Sequence, residues 1–434
     1  MRRRGAPEPT GTGVADVRRH NRALVLRAIR ERSGIARVEL ARLTDLSGPT
    51  ISAVVDELLD ARLIREDGPA PSTGGRRATA LRLAERAAFV LAVDLARHRT
   101  RVAITDLNAT ILYQVSVPTN DALDPQANLH WLEHLLADAL AAQGTPRPYL
   151  LGIGVGAPGP LHTTTGEILV PTNFGHWHNL PLRSALAARF GVPVRVDNDA
   201  NACALAQHWL GAGRELRDFV YVAAGSGVGA GVVIDGDLYR GAHDLAGEIG
   251  HATVEVSGPL CPCGNAGCLE LYTTLRATLA RWFGAPQPAT LADEISGITA
   301  LIAAAQAGDD TARAALSLSA QYLGAGVINV INAYDPQVVF IGRELAAAGD
   351  LILRPIRAAV ERRAFPATRR SVPIEPDLLG EDSPLLGAAC LVLRELFVDS
   401  DLLNDRILAA RNDSVRERGT VQIGSPHRPV ASGA

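Results

Sequence analysis

Three of the chain's five cysteines, Cys261, Cys263 and Cys268, fall in the eight residues CPCGNAGC, and His251 stands ten residues ahead of the first. Three thiols and one imidazole are the donor set of a closed structural zinc site, and Gly264 and Gly267 permit the tight turn such a site needs. A dithiol redox device would more typically be C-x-x-C, which this stretch lacks. Cys203 and Cys390 lie in apolar helical segments and read as ordinary core thiols.

A second chemical stretch is VDNDANA, in which Asp197 and Asp199 mark the end of an apolar strand and the start of a helix. A carboxylate at a strand end can accept a proton from a substrate hydroxyl or simply hydrogen-bond it. Asp199 could equally cap the helix, and the two roles are compatible. The run AGSGVGAG, with Gly225 to Gly231 between two apolar strands, is either a nest of backbone N–H groups for an anion or a plain glycine-rich hairpin. Gly154, Gly156 and Gly159 formally match G-x-G-x-x-G, but with Pro158 there and the stretch LHTTTGE following in place of a helix that could hold a pyrophosphate, no dinucleotide site is read there.

The elements that would carry these residues begin near Ala87, where AAFVLAVDL, TRVAITDL and ILYQVSV read as three antiparallel strands. Alternating helices and strands follow, then the glycine-rich hairpin, which together predict a two-lobed α/β body with a ligand cleft between its lobes. The front end differs. VRRHNRALVLRAI predicts a helix over Val17 to Ile29, followed by a short helix (Arg37 to Thr44), a turn at Asp45 to Ser47 and a second helix from about Pro49 to Ala61. Ser47 is placed as N-cap with Pro49 in the first turn, a helix-turn-helix whose exposed N-terminal end carries Ser47, Pro49, Thr50 and Ser52. Strands at Leu63 to Glu66 and Ala78 to Leu83 flank a loop with Arg76 and Arg77, the layout of a basic wing.

Charge follows the same division. Residues 1–86 hold 17 Arg against 11 acidic residues, net +6, and the remaining 348 hold 26 against 35, net −9. A basic front end on an acidic body points to a nucleic-acid-binding module joined to something else. All 43 basic residues are arginine, so no lysine-dependent phosphate site is available. The chain has 434 residues and no run near the roughly 18 apolar residues of a membrane span, and MRRRGAPEPTGTG has no apolar signal core. A cytoplasmic protein with reduced thiols is therefore expected, with no membrane partner.

Taken together, GHATVEVSGPLCPCGNAGCLE, VPVRVDNDANA and AGSGVGAG resemble the ROK family of repressors, open reading frames and sugar kinases, over about residues 19 to 397. The resemblance implies an actin-like, hexokinase-like two-lobed body preceded by the winged helix-turn-helix that the family's repressors carry. It implies zinc on His251, Cys261, Cys263 and Cys268, and sugar contacts from Asn173, Asn198, Asp199, Glu248, His251 and Glu270. It also makes Asp199 the base of a kinase, were the chain one. The family kinases' Asp-x-Gly-Gly-Thr loop is replaced by Asp94, Leu95, Ala96, Arg97 and His98, so bulky side chains should obstruct ATP phosphates.

The domain expectation is a disordered stretch over 1–16, a winged helix-turn-helix over 17–85, the sugar-binding body over 86–397 and a largely disordered tail over 398–434. The functional expectation is a non-enzymatic, sugar-responsive repressor of carbohydrate-metabolism genes. It would bind operator DNA as a homodimer or homotetramer, with structural zinc, no ATP, and a sugar or phosphosugar shifting operator affinity. The alternatives are an ATP-dependent sugar kinase with an attached DNA-binding domain, and a constitutive DNA binder with a vestigial pocket.

Overall fold

A computed structural model describes residues 13–69, 78–122, 124–144, 149–171, 174–284, 291–366 and 372–398. The expectations for Arg76, Arg77 and Asn173, and for the stretches 1–12 and 399–434, lie outside the described residues. Internal packing divides the chain into one unit of Met1–Ala88, Pro146–Leu150 and Glu395–Ala434, and another of Phe89–Thr145 and Leu151–Arg394.

The first unit opens with α1 (Val14–Glu31), α2 (Arg37–Thr44) and α3 (Gly48–Asp60). Helix α1 starts at Val14, inside the stretch expected to lack structure, because the Asp16 carboxylate accepts from the Gly13 N–H at 3.0 Å and caps the first turn. Asp45, at φ 56°, ends α2 in the left-handed conformation, and Ser47 Oγ then accepts from Thr50 N–H at 3.3 Å to start α3. Apolar residues at helical spacing, among them Leu26, Ile29, Leu40, Ile51 and Val55, are buried with Leu63 and Leu81. Strands β1 (Ile64–Pro69) and β2 (Thr79–Leu83) pair antiparallel, Ile64 opposite Leu83, and complete a helix-turn-helix followed by a hairpin. Strand β1 runs three residues past the expected Glu66 because its ladder continues to a Pro69–Thr79 pair across an irregularity.

The second unit is built on two five-stranded sheets of the same order. In one, β3 (Phe89–Leu95), β4 (Arg99–Thr105) and β5 (Ile111–Pro118) form an antiparallel meander. After α4 (Pro125–Gln143), β6 (Leu150–Ala157) lies beside β3, and β9 (Val194–Asn198) pairs parallel to β6. Between them come the two-residue strands β7 (Leu161–His162) and β8 (Glu167–Ile168) and helix α5 (Leu182–Phe190). Helix α6 (Asp199–Trp209) leads to the other sheet, where β10 (Phe219–Ala224), β11 (Val228–Ile234) and β12 (Asp237–Leu238) repeat the meander. There β13 (Val338–Gly342) lies parallel to β10, and β14 (Ile374–Pro376) parallel to β13.

The remaining helices are α7 (Glu270–Thr273), α8 (Leu275–Phe283), α9 (Leu291–Ala307), α10 (Asp310–Tyr334), α11 (Asp350–Arg363) and α12 (Ser383–Val398). Helix α10 is long and apolar enough to cross a bilayer, yet its Leu316, Leu323, Val327 and Ile331 are buried in one cluster with Val220, Val222 and Ile356. It is a largely buried helix of that core.

The G-x-G-x-x-G run lies on and just after β6, where glycine serves packing. A Cβ at Gly154 would fall 1.8 Å from the carbonyl oxygen of Ala388 in α12, so only hydrogen fits between strand and helix. Gly154→Ala should therefore cost about 1–3 kcal/mol of stability, read as a lowered denaturant midpoint; an unchanged midpoint would show that α12 withdraws freely.

Candidate functional site

The two meanders turn their β-hairpin loops, Ala96 to His98 and Gly225 to Gly227, toward the same region, and a cleft of roughly 760 Å³, its open mouth included, is bordered by both. Its walls bring together Asn198, Asp199, Glu248, His251 and Glu270 from three separate stretches of chain. Asn173 lies outside the described residues, while its neighbours Pro171 and Phe174 line the same cleft.

Each polar group is held by a local cause. Asn198 ends β9 and caps α6, its Oδ1 accepting from Ala200 N–H at 2.8 Å. Asp199, the first helical residue, accepts from the same N–H at 2.9 Å, so it has the expected place at a helix start while lining the cleft. A Cβ at Gly159 would sit 2.9 Å from Asn198 Nδ2 and 3.0 Å from a Glu248 carboxylate oxygen, which measures how closely those side chains approach the strand end. Glu270 begins α7 and accepts from Val228 N–H at 3.2 Å, tying that helix to the start of β11.

Asp197 departs from expectation. Strand alternation turns it away from Asn198, and it is buried, accepting from Asn201 Nδ2 at 2.9 Å and from both Nε and Nη2 of Arg240 at 2.9 and 2.6 Å. Asp197 is thus an anchor that fixes the β9–α6 corner, and only Asp199 faces the cleft.

Electrostatics here are set by burial. Enclosure raises the Asp199 carboxyl above its ordinary range; Arg343 pulls it back, and Asp94 pushes it up again. Burial likewise raises Glu248, against the attraction of His251. At the first hairpin, Asp94 is buried and paired with Arg101, Nε to Oδ2 at 3.1 Å. Arg97 lines the cleft, while His98 lines an adjoining cavity and is held to a pKa of about 4 by burial and by the surrounding arginines, Arg97 and Arg343 foremost.

Sequence reasoning missed Arg343, which follows the end of β13 and lines both cavities. Its partners are remote in the chain; the available signal was a charged pair, Arg343 and Glu344, directly after an apolar strand ending in glycine.

His251, Cys261, Cys263 and Cys268 converge at the back of this wall, their ligand atoms all within 4.8 Å of one another. Cys263 and Cys268 sulfurs are 3.7 Å apart, as are Cys261 Sγ and His251 Nδ1. A tetrahedron with bonds of about 2.3 Å to sulfur has edges of about 3.8 Å, so the set fits a four-coordinate metal ion such as zinc. The turn is closed by Cys261 N–H to Asn265 O at 2.7 Å and Gly264 N–H to Cys261 O at 2.9 Å. At Gly267, φ is 65° and a Cβ would lie 1.7 Å from Glu255 O, so glycine is obligatory. With Nδ1 on the thiol side, the ring's other edge is left for the cleft.

In the first unit, Ser47, Pro49 and Ser52 are exposed at the start of α3 and Thr50 is half-buried against Ser47, its Oγ1 at 2.8 Å from Ser47 Oγ. Arg37 pairs with Asp56 at 2.8 Å, and Arg18 with Glu57 at 2.9 Å.

Comparison with known proteins matches the pattern of the ROK family to residues 90–395. The chain is 32% identical over 384 residues to the xylose repressor of Caldicellulosiruptor bescii, covering 87% of this chain and 96% of that protein. The crystal structure of a ROK family transcriptional regulator, a homologue of the Escherichia coli Mlc protein, superposes with a TM-score of 0.77 at 24% identity, over 91% of this chain and all of that one. A ROK family glucokinase from Streptomyces griseus, solved with glucose and AMPPNP, superposes with a TM-score of 0.61 at 27% identity, over 70% of this chain and 98% of its own.

The His98 environment makes a pH prediction. Its folded pKa lies below the unfolded value near 6.5, so the unfolded chain binds the extra proton first and stability falls as pH drops from about 6.5 to about 4. The difference between the native chain and His98→Gln across that window should be on the order of 3 kcal/mol, measured by urea denaturation at stepped pH. Parallel pH profiles for the two would contradict the assigned burial.

Proposed function

The chain belongs to the ROK family, and from that premise we propose that it is a sugar-responsive transcriptional regulator, a repressor of carbohydrate-metabolism genes whose operator affinity depends on a sugar or phosphosugar in the cleft. The observation that carries this reading is the pattern of coverage. The glucokinase matches 70% of the chain, while the regulator structure and the xylose repressor reach 91% and 87%, so the similarity to regulators takes in more than the kinase-like body.

The cleft suits a polyhydroxylated ligand. Asp199, Glu248 and Glu270 offer carboxylate oxygens to accept from hydroxyls, Asn198 offers an amide, and His251 its free ring edge. A ligand lacking those hydroxyls would leave buried acceptors unpaired, which is how such a site discriminates. Zinc on the three cysteines and His251 would have no open coordination position, so its contribution is structural. His251 itself, with Glu270 two residues after Cys268, places the cleft wall under control of that loop.

In the first unit, α3 is the recognition helix of a winged helix-turn-helix over 17–85, with Ser47, Pro49, Thr50 and Ser52 at the major groove and Arg76 and Arg77 on phosphates or in a minor groove. Pairs of such helices reading half-sites about 34 Å apart require a homodimer or homotetramer. The setting is the cytoplasm, where reduced thiols stay available to zinc. Catalysis is not part of this reading: Arg97 and His98 stand where close backbone contact with nucleotide phosphates would be needed.

Four measurements test the reading. In a thermal-shift panel of pentoses, hexoses, amino sugars and their phosphates, one class should raise the midpoint, and Glu248→Gln should weaken that ligand at least about tenfold, a loss of about 1.4 kcal/mol. Thr50→Asp with Ser52→Asp should abolish retardation of DNA from the chain's own upstream region while leaving the sugar response intact. Removal of zinc by a chelator should abolish the sugar response. ATP-dependent phosphorylation of a sugar, lost in Asp199→Asn, would overturn the regulator reading in favour of a kinase.

A further inference from the structure

The cleft and the adjoining cavity share two lining residues, Ala96 and Arg343. Arg343 is an L-residue at φ 71°, ψ −167°, a region otherwise the province of glycine, so its backbone is strained and must be held by its surroundings. What holds it is charge. Its guanidinium, 10% exposed, faces Asp94 Oδ1 at 3.6 Å, Asp199 Oδ2 at 3.8 Å and Glu344 Oε2 at 3.8 Å.

None of these distances is that of a hydrogen bond. Asp94 Oδ1 and Glu344 Oε2 have no hydrogen-bond partner among the described residues, although Asp94 is almost fully buried. The cation is therefore centred among three carboxylates instead of committed to one. Arg101 neutralises Asp94 from its other side at 3.0 Å and also reaches the half-exposed Asp382 at 3.6 Å, so the buried group is short of positive charge around Arg343, whose three carboxylates come from β3, the start of α6 and the residues just after β13. Like charges gathered in a low-dielectric site repel strongly unless a cation lies between them.

We propose that Arg343 is a built-in counter-cation: it walls the cleft off from the adjoining cavity and holds the place a divalent metal would otherwise take among Asp94, Asp199 and Glu344, so that the cleft excludes metal-bound phosphate groups. Arg343 thus determines specificity by occupying space and charge at the boundary, where it lines the cleft and faces Asp199. The proposal takes the sugar as the cleft's ligand from the reading above; the charge balance stands without it.

The test uses the full-length, zinc-loaded protein and magnesium chloride alone as probe, with ionic strength matched by sodium chloride. The wild-type protein and Arg343→Lys, which keeps a cation, should show no magnesium-specific change in melting temperature. Arg343→Gly suits the backbone but leaves the carboxylates exposed to one another, and should show a saturable magnesium-dependent rise. Adding Glu344→Gln to it should diminish that rise by removing one ligand. A glycine variant with no response beyond the sodium chloride control, or a wild-type protein that responds as strongly, overturns the proposal. Should Arg343→Gly fail to fold, the variant with Asp94→Asn and Glu344→Gln added is expected to fold, because the surplus negative charge is gone; failure of that variant as well would show Arg343 to be a packing residue and overturn the proposal. A wild-type protein with no sugar response but the predicted magnesium pattern would remove the sugar reading and leave the counter-cation in place.

Discussion

Five carboxylates, Asp94, Asp199, Glu248, Glu270 and Glu344, are gathered around one boundary in the second unit, and the architecture there follows from the need to neutralise them. They are matched as follows: Asp94 by Arg101 and Arg343, Asp199 by the α6 backbone and Arg343, Glu344 by Arg343, Glu248 by His251, and Glu270 by the Val228 N–H. Such matching is what lets acidic groups remain in an enclosed wall, where an unpaired carboxylate would protonate or unfold the site. Because the partners come from β4, the end of β13 and the β11 hairpin, the charge balance also fixes how the two sheets face each other.

The metal-ligand loop belongs to this balance. The donors of the Cys3His cluster sit between Glu248 and Glu270, so the same short loop that gathers the thiols delivers an imidazole and two carboxylates to the cleft. Its turn is so tight that Gly267 admits no side chain, and the hydrogen bonds from Asn265 Nδ2 to His251 O and Thr253 Oγ1 tie its ends together. A metal ion held by these four donors would leave no open coordination position and would stiffen that wall.

The repeated sheet order explains why one body can serve enzymes and regulators alike. Two meanders related by the same strand order place two hairpin loops at one cleft. In this chain the first loop carries Arg97 and His98 and the residue after β13 is Arg343; all three are large, the two arginines are cationic, and burial beside them holds the His98 imidazole to a pKa of about 4. Function is thus set by loop chemistry on a fold that is indifferent to it.

Local features were readable from sequence because their physics is local. The cysteine spacing, the Ser47 cap with Pro49 behind it, the strand-to-helix junction at Asn198 and Asp199, and the α/β alternation each depend on residues within a turn or two of one another. The family resemblance extended this to the residues of the cleft wall. What sequence could not decide was which carboxylate faces where. The residues of VDNDANA alone leave Asp197 and Asp199 alike, and it takes strand alternation and Arg240, 43 residues away, to show Asp197 as an anchor; the glycines of β6 are excluded as a phosphate motif for want of a following helix, but that they make room for α12 was not legible. Arg343 has its meaning only through Asp94 and Asp199, which lie far from it in the chain. Short-range hydrogen bonding and periodicity are written in sequence, whereas the pairing of buried charges depends on distances that exist only once the two sheets have packed.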